Sequence, residues 1–196
     1  AYLLCELAAN KIGIIFCDEK RYPNGQYIPF YGSHDTSEKI RKQYNWNLNS
    51  KMIIWKEVVI RKIAGQMGVL NRYNHVKSGE KLKQYSYDVE IGDTTNREGH
   101  AAKVYFNSLF GKDFSRDDKD NIINAQLNYG YSILLSAVCR EIVKNGYITQ
   151  IGIHHDNIFN SYNLACDLME PLRPFIDLLI LKLEHIVLSA DIKQSI

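Results

Sequence analysis

Three short segments of this 196-residue chain carry residue types that could do chemistry together. In the first, residues 95–99 read Thr95-Asn96-Arg97-Glu98-Gly99. Thr95 and Glu98 have the spacing of a capping box, in which each side chain satisfies the other residue's backbone donor at a helix start. The same position suits a ligand: a carboxylate in the first turn of a helix stays ionised beside the positive helix end and can bind a hard cation. Gly99 leaves room for something bulky to approach, such as a phosphate backbone. The second segment is Ile151-Gly152-Ile153-His154-His155. If extended, it sends Ile151, Ile153 and His155 to one face and His154 to the other. His155 then shares the buried side, either as a hydrogen-bonded core histidine or as a ligand, and His154 points outward.

The third segment, residues 163–177, divides at helical spacing. Leu164, Leu168, Leu172, Phe175 and Leu179 form an apolar stripe, and Asn163, Asp167, Glu170, Arg173 and Asp177 a polar one. The plain expectation is a solvated polar face with Glu170 paired to Arg173. Pro171 and Pro174 complicate it, because each lacks the N–H that would reach the carbonyl of Asp167 or Glu170. A helix broken beside two acids hints at a site.

The elements that must position these groups are mostly helices. Residues 1–10 read as a helix end, 13–17 as a strand, Pro23-Asn24-Gly25 as a turn, and 26–31 as a second strand. Thr36 or Ser37 can cap a helix, and helical periodicity continues from there. Long helices are predicted at 50–70, with Ile53, Ile54, Val58, Ile60 and Ile63 as its apolar side, and from Thr95 to before Gly111. Another is predicted at 116–145, capped by Ser115 and ended by Gly146, and a fourth from Asn160 or Ser161. Residues 74–94 read as a loop-rich connection holding at most a short helix. The expected fold class is mainly α: an all-helical catalytic domain at 35–196, preceded by a small α/β remnant of a β-rich N-terminal domain at 1–34.

Composition narrows the function classes. Hydrophobic residues make up 45% and charged residues 23%, ordinary for a globular protein. No apolar run approaches the roughly 20 residues of a membrane span, and no signal segment is present, so a cytoplasmic protein with no membrane partner is expected. The four cysteines form no C-x-x-C pair and read as reduced thiols. The net charge of +2 is unevenly spread, with Lys39, Arg41, Lys42, Lys51, Lys56, Arg61 and Lys62 close together and Lys77, Lys81 and Lys83 beyond. That clustering permits a phosphate-binding face, although taken alone it is more often a solvated helix surface.

The strings N-R-E-G-H-A-A-K at 96–103, N-Y-G-Y-S at 128–132, G-I-H-H at 152–155 and N-L-A-C-D-L-M-E-P-L-R-P at 163–174 follow one another in the order of a known family. Together with I-F-C-D-E-K at 15–20 and Y-G-S-H-D at 31–35, they resemble the CRISPR-associated integrase of spacer acquisition, the larger subunit of the adaptation complex. Their wording is most similar to the type II form. The resemblance implies a divalent metal, Mg²⁺ or Mn²⁺, held by Glu98, His155 and Glu170, which would be the catalytic residues. Asp167 and Arg173 would support them from behind, and Arg97, Lys103, Tyr129 and Tyr131 are candidate DNA contacts, with core packing an equal alternative for the tyrosines. The implied reaction is attack by the 3′-hydroxyl of a short captured DNA on a phosphodiester at the edge of a CRISPR repeat. Implied partners are double-stranded DNA with 3′ overhangs, CRISPR repeat DNA, a second copy of the chain, a small dimeric partner protein, and a type II accessory ring protein with an RNA-guided effector nuclease. The rival reading is a non-catalytic DNA-binding scaffold subunit. No helix-turn-helix or zinc-finger pattern is present, so backbone contacts and DNA shape are expected to dominate recognition.

Overall fold

A computed structural model describes residues 1–10, 12–19, 23–27 and 34–182. Helix α1 (Tyr2–Ala9) leads into an antiparallel pair, β1 (Ile14–Cys17) and β2 (Pro23–Tyr27), in register from Ile14 with Tyr27 to Phe16 with Gly25 and shifted by one residue where Cys17 meets Pro23. The remainder is helical: α2 (Thr36–Tyr44), α3 (Leu48–Arg72), α4 (Val76–Tyr87), α5 (Arg97–Phe110), α6 (Ile122–Lys144), α7 (Asn163–Met169) and α8 (Arg173–Lys182). The mainly α class is as expected. No described helix is long and apolar enough to cross a membrane. The chain packs as two compact units, one of Ala1–Lys51 with Ser132–Met169 and the other of Met52–Tyr131 with Glu170–Ile196.

In the second unit the core is built on α3. Trp55, Val59, Ile63 and Leu70 are fully buried, joined by Leu82 of α4, Tyr105 of α5, Leu127 of α6 and Ile180 of α8. Burying an aliphatic side chain of this kind contributes roughly 1.5–3 kcal/mol. The buried stripe of α3 differs from the expected one, since Ile53 and Ile54 are exposed whereas Lys62 and Gln66 are buried. Gly65 eases a close approach: a Cβ there would lie 3.0 Å from the Pro174 ring, tighter than most such contacts, so a larger residue would press α8 away from α3.

Several sequence expectations are corrected. Pro23-Asn24-Gly25 belongs to β2 instead of forming a turn; residues 28–31 of the second predicted strand lie outside the described residues. The N-cap of α2 is Asp35 rather than Thr36 or Ser37. Residues 76–87 form a full twelve-residue helix where a loop-rich connection was expected. Helix α6 starts at Ile122, six residues later than predicted. Local side-chain bonds hold residues 115–121 out of the helix: Asp117 N–H donates to Ser115 Oγ (3.2 Å) and Asp120 N–H to Asp118 Oδ1 (3.0 Å). Asn121 then caps α6 by accepting from the N–H groups of Ile123 and Asn124.

In the first unit, Gln43 of α2 is a buried peg. Its side chain donates to the carbonyls of Ile148 and Ile151, both at 2.8 Å, and accepts from Ile148 N–H at 3.0 Å. These bonds anchor the segment that follows Gly146, which ends α6 with φ 83°.

Candidate active site

Residues 147–160 contain neither helix nor strand, so the extended segment expected at 151–155 is not there. What organises it is Asp167 of α7, which is fully buried. Its Oδ2 accepts from the N–H groups of Ile153 (2.6 Å) and His154 (3.0 Å), and its Oδ1 from His155 N–H (3.1 Å). The same Oδ1 lies 2.6 Å from His155 Nδ1. An ionised carboxylate can only accept, so the His155 nitrogen that faces it, Nδ1, is the one that carries a proton, and Nε2 is turned away from Asp167. Gly152 is required by this packing: a Cβ there would meet His155 O at 2.4 Å and Asp167 Oδ2 at 2.8 Å. His155 is half-buried and His154 exposed, which matches the sides expected of them although no strand creates the alternation. Asn163 secures the other end of the loop by donating to the carbonyls of Gln150 and Asn157.

The second cluster lies in the other unit. Helix α5 is capped by Asn96, which sits in the left-handed region (φ 52°) and accepts from Gly99 N–H at 3.1 Å. Asp93 satisfies the two preceding donors, accepting from Arg97 N–H (2.8 Å) and Glu98 N–H (3.0 Å). The predicted Thr95–Glu98 capping box is therefore absent: Asp93 takes the Glu98 N–H that Thr95 was expected to cap, and Asn96 is the N-cap. The Glu98 carboxylate is released to accept from Lys62 Nζ at 2.6 Å. Lys62 also pairs with Glu170 Oε2, and Arg173 Nη2 lies 2.9 Å from Glu170 Oε1. The expected Glu170–Arg173 pair exists, but Glu170 is only 4% exposed.

The amphipathic reading of residues 163–177 holds at Leu164, which is buried as expected, but fails beyond it. Asn163, Asp167, Glu170 and Asp177 are buried, whereas Leu168, Leu172 and Phe175 are 39%, 40% and 68% exposed. The proline effect is realised as expected: α7 ends at Met169, Glu170–Leu172 form a 3₁₀ turn, and α8 begins at Arg173.

Behind Arg173 lies a polar core that the sequence did not announce. Tyr105 donates to Asp177 Oδ2 at 2.9 Å and Tyr131 to Asp177 Oδ1. Arg173 and Arg116 lie over the Tyr131 ring, 4.7 and 5.6 Å from its centroid. Tyr131 is accordingly a core residue, whereas Tyr129 is half-buried. Arg97 lies over the Tyr85 ring at 5.8 Å, and Lys103 lines a cavity of about 300 Å³ with Lys112, Arg116, Phe106 and Phe114. Burial pushes the Asp177 carboxyl up from 3.8 to about 6, against the opposing effect of the tyrosine hydrogen bonds and the charges of Arg173 and Lys62. A carboxyl held more tightly protonated in the folded state stabilises the fold below its unfolded pKa, and that contribution is lost as pH rises through the folded value. We expect stability to fall by about 2 kcal/mol from this group between pH 4 and 7. Urea unfolding at the two pH values should show the decline in the unsubstituted protein and much less of it in Asp177→Asn.

Among the described residues, no group of three or more His, Cys, Asp or Glu side chains is gathered as an ion-binding cluster. The acid pair is gathered on an ammonium instead. Of the residues that matter here, Lys62, Asp93, Asp177 and Arg116 were not singled out as site residues. Lys62 could have been found as a lysine in phase with the buried positions Trp55, Val59, Ile63 and Gln66 of α3.

Fold and clusters together define a mainly helical protein with a charged interior: two acids on a lysine, and an imidazole oriented by a buried aspartate. The chain belongs to the CRISPR associated protein Cas1 family, whose model matches residues 1–187. It is 37% identical over 197 residues to a CRISPR-associated endonuclease Cas1 of Neisseria meningitidis serogroup C, a match that covers 100% of this chain and 64% of that relative. Among solved structures it is similar to a partial Cas6-RT-Cas1–Cas2 complex, with a TM-score of 0.73, 23% identity, and 95% of this chain and 62% of the other covered. A casposase bound to an integration product shares the fold with a TM-score of 0.61, 21% identity, and coverage of 90% and 57%. The chain thus spans less than two-thirds of the length of each of these proteins.

Proposed function

We propose that this chain is the core of a divalent-metal-dependent DNA integrase that joins short captured DNA to a CRISPR repeat. The carrying observation is the convergence of Glu98 and Glu170 on a single cation, Lys62. Two acids, Glu170 buried and Glu98 half-buried, brought onto one positive charge form a hard oxygen site of the kind that Mg²⁺ or Mn²⁺ occupies. The donor set fits such an ion: Glu170 Oε2 is buried and faces Lys62 as an ion pair without an aligned hydrogen bond. Glu98 and Glu170 would hold the ion, and His155 enters as the further ligand that the family resemblance implies. When bound, the ion neutralises charge developing on the phosphate.

The chain's own residues do the rest. Asp167 fixes the tautomer and direction of His155, a role that buried carboxylates often take behind ligating histidines. Arg173 holds Glu170 from the far side and, with Arg97 and Lys103, supplies positive charge for the DNA backbone. In the reaction, a 3′-hydroxyl attacks a repeat phosphodiester, a new P–O3′ bond forms, and the old P–O3′ bond breaks to release another 3′-hydroxyl. Bond number is conserved, so no oxidant or nucleotide triphosphate is consumed. Partners under this reading are DNA with 3′ overhangs, CRISPR repeat DNA, a second copy of the chain, and a small dimeric protein of the Cas2 kind named in the related complex. The endonuclease name of the Neisseria relative supports the reading.

A strand-transfer assay in Mn²⁺ tests it. Glu98→Ala and His155→Ala should yield no joined product while still binding DNA. Unchanged product from both variants would sink the metal assignment and leave the scaffold reading standing.

A further inference from the structure

Lys62 lies 36 positions before Glu98 in the chain and donates to it at 2.6 Å, while also pairing with Glu170. The residue is 9% exposed, and its stem leaves α3 beside the buried Val59, Ile63 and Gln66. Such placement is unusual for a lysine, which is almost never fully buried without a partner. The charge count of the cluster explains the burial. Lys62 and Arg173 carry two positive charges against the two carboxylates of Glu98 and Glu170, so the cluster is neutral as it stands.

Adding a divalent ion to that neutral cluster would bury two uncompensated charges, which is strongly unfavourable away from water. The ion and the ammonium also need the same carboxylate oxygens. Glu170 Oε2 in particular gives Lys62 ionic attraction without an aligned hydrogen bond, so a second cation can replace the ammonium there without breaking one.

We propose that Lys62 is a resident counter-ion that metal must displace, and that the displaced ammonium then pairs with a phosphate oxygen of bound DNA. The inference rests on reading Glu98 and Glu170 as metal ligands. Metal entry becomes an exchange of cations, and it is completed only when an anion arrives to neutralise the released lysine. Metal and DNA therefore bind cooperatively through this one side chain, and by linkage each raises the affinity for the other equally. A protein built this way holds its acids together when no metal is present and loads metal chiefly on DNA.

The test measures free Mn²⁺ by electron paramagnetic resonance during titration of the full protein. Titrations are run with and without a duplex whose 3′ ends lack the attacking hydroxyl. Unsubstituted protein should bind Mn²⁺ at least about fivefold more tightly when the duplex is present, the lower end of ordinary coupling. Lys62→Met and Lys62→Gln should bind Mn²⁺ more tightly than the unsubstituted protein without DNA, and should gain little when DNA is added. Thermal unfolding gives the second readout: in EDTA both variants should melt lower than the unsubstituted protein, and Mn²⁺ should raise their Tm by more. Equal Mn²⁺ affinities in all proteins, or an undiminished DNA effect in both variants, overturns the counter-ion proposal while leaving the ligands intact. If Glu170→Gln binds Mn²⁺ as well as the unsubstituted protein, or neither binds it, the ligand assignment itself falls.

Discussion

An Asp167→Ala variant is expected to lose several kcal/mol of stability and most of its strand transfer, and the two losses share an origin. Asp167 is fully buried and accepts from the backbone N–H groups of Ile153, His154 and His155 as well as from the His155 ring. Alanine leaves those donors facing an apolar methyl. An unmade hydrogen bond to a buried group costs roughly 1–3 kcal/mol, so even partial rescue by water leaves a deficit of a few kcal/mol. Against a total of about 5–15 kcal/mol, such a loss is large. For a domain of this size, Tm should fall by about 10 °C, read by calorimetry. The functional loss follows from the freed imidazole, and outer partners of this kind typically contribute about 10–100-fold to metal affinity or activity. Asp167→Asn separates the two effects. It keeps one acceptor oxygen but turns an amide N–H₂ toward donors, so it should recover part of the stability and little of the activity. Full activity in a stably folded Asp167→Asn protein would show that His155 needs no fixed tautomer.

Glu170→Gln should produce the largest effect on chemistry with the smallest effect on shape. The substitution keeps the side chain's volume and one acceptor oxygen, so Arg173, which also stacks over Tyr131 at 4.7 Å, retains much of its surroundings. What vanishes is one negative charge from a site where only 4% of the residue reaches solvent. A metal ligand contributes several kcal/mol of charge stabilisation, which corresponds to a rate loss of roughly a thousandfold. The measurement is single-turnover strand transfer in Mn²⁺, with Tm as control. A loss below about tenfold, with Tm unchanged, would place the ion elsewhere and return Glu170 to a purely structural pair with Arg173 and Lys62.

The helices were largely legible because their periodicity is local. Helices α3 and α5 appear where apolar spacing and the glycine at position 111 put them. The polar interior was not legible in the same way. A hydropathy stripe assumes that the core is apolar, and in residues 163–177 the assumption fails: Phe175 faces solvent while Asp177 is buried among Tyr105 and Tyr131. The prolines were the better guide, since missing N–H groups at Pro171 and Pro174 mark the 3₁₀ turn without reference to burial. Glu98 was ambiguous because a capping box is read from spacing alone. Asn96, one residue later than the expected cap, takes the left-handed conformation that asparagine tolerates better than threonine. A strand alternation favours His155, yet its position is set by three amides turned onto a carboxylate twelve residues away. Lys62 was hidden in a run of basic residues, and only its helical phase separates it from its solvated neighbours.

The spacing of these partners along the chain also bears on the order in which the protein can fold. His155 and Asp167 are separated by 12 residues, and Lys62 and Glu98 by 36. Loop-closure entropy grows only logarithmically with length, so closing the longer loop costs about 1 kcal/mol more. The difference in speed is greater than that figure suggests, because the shorter contact can form within a loop that closes on its own. The longer one must await the packing of α3 beside α5, and non-local pairings of that kind slow folding. A chain still assembling can therefore carry an ordered imidazole well before its acids are paired. During that interval Glu98 and Glu170 remain hydrated and apart, and the growing core is spared the burial of two unmatched charges.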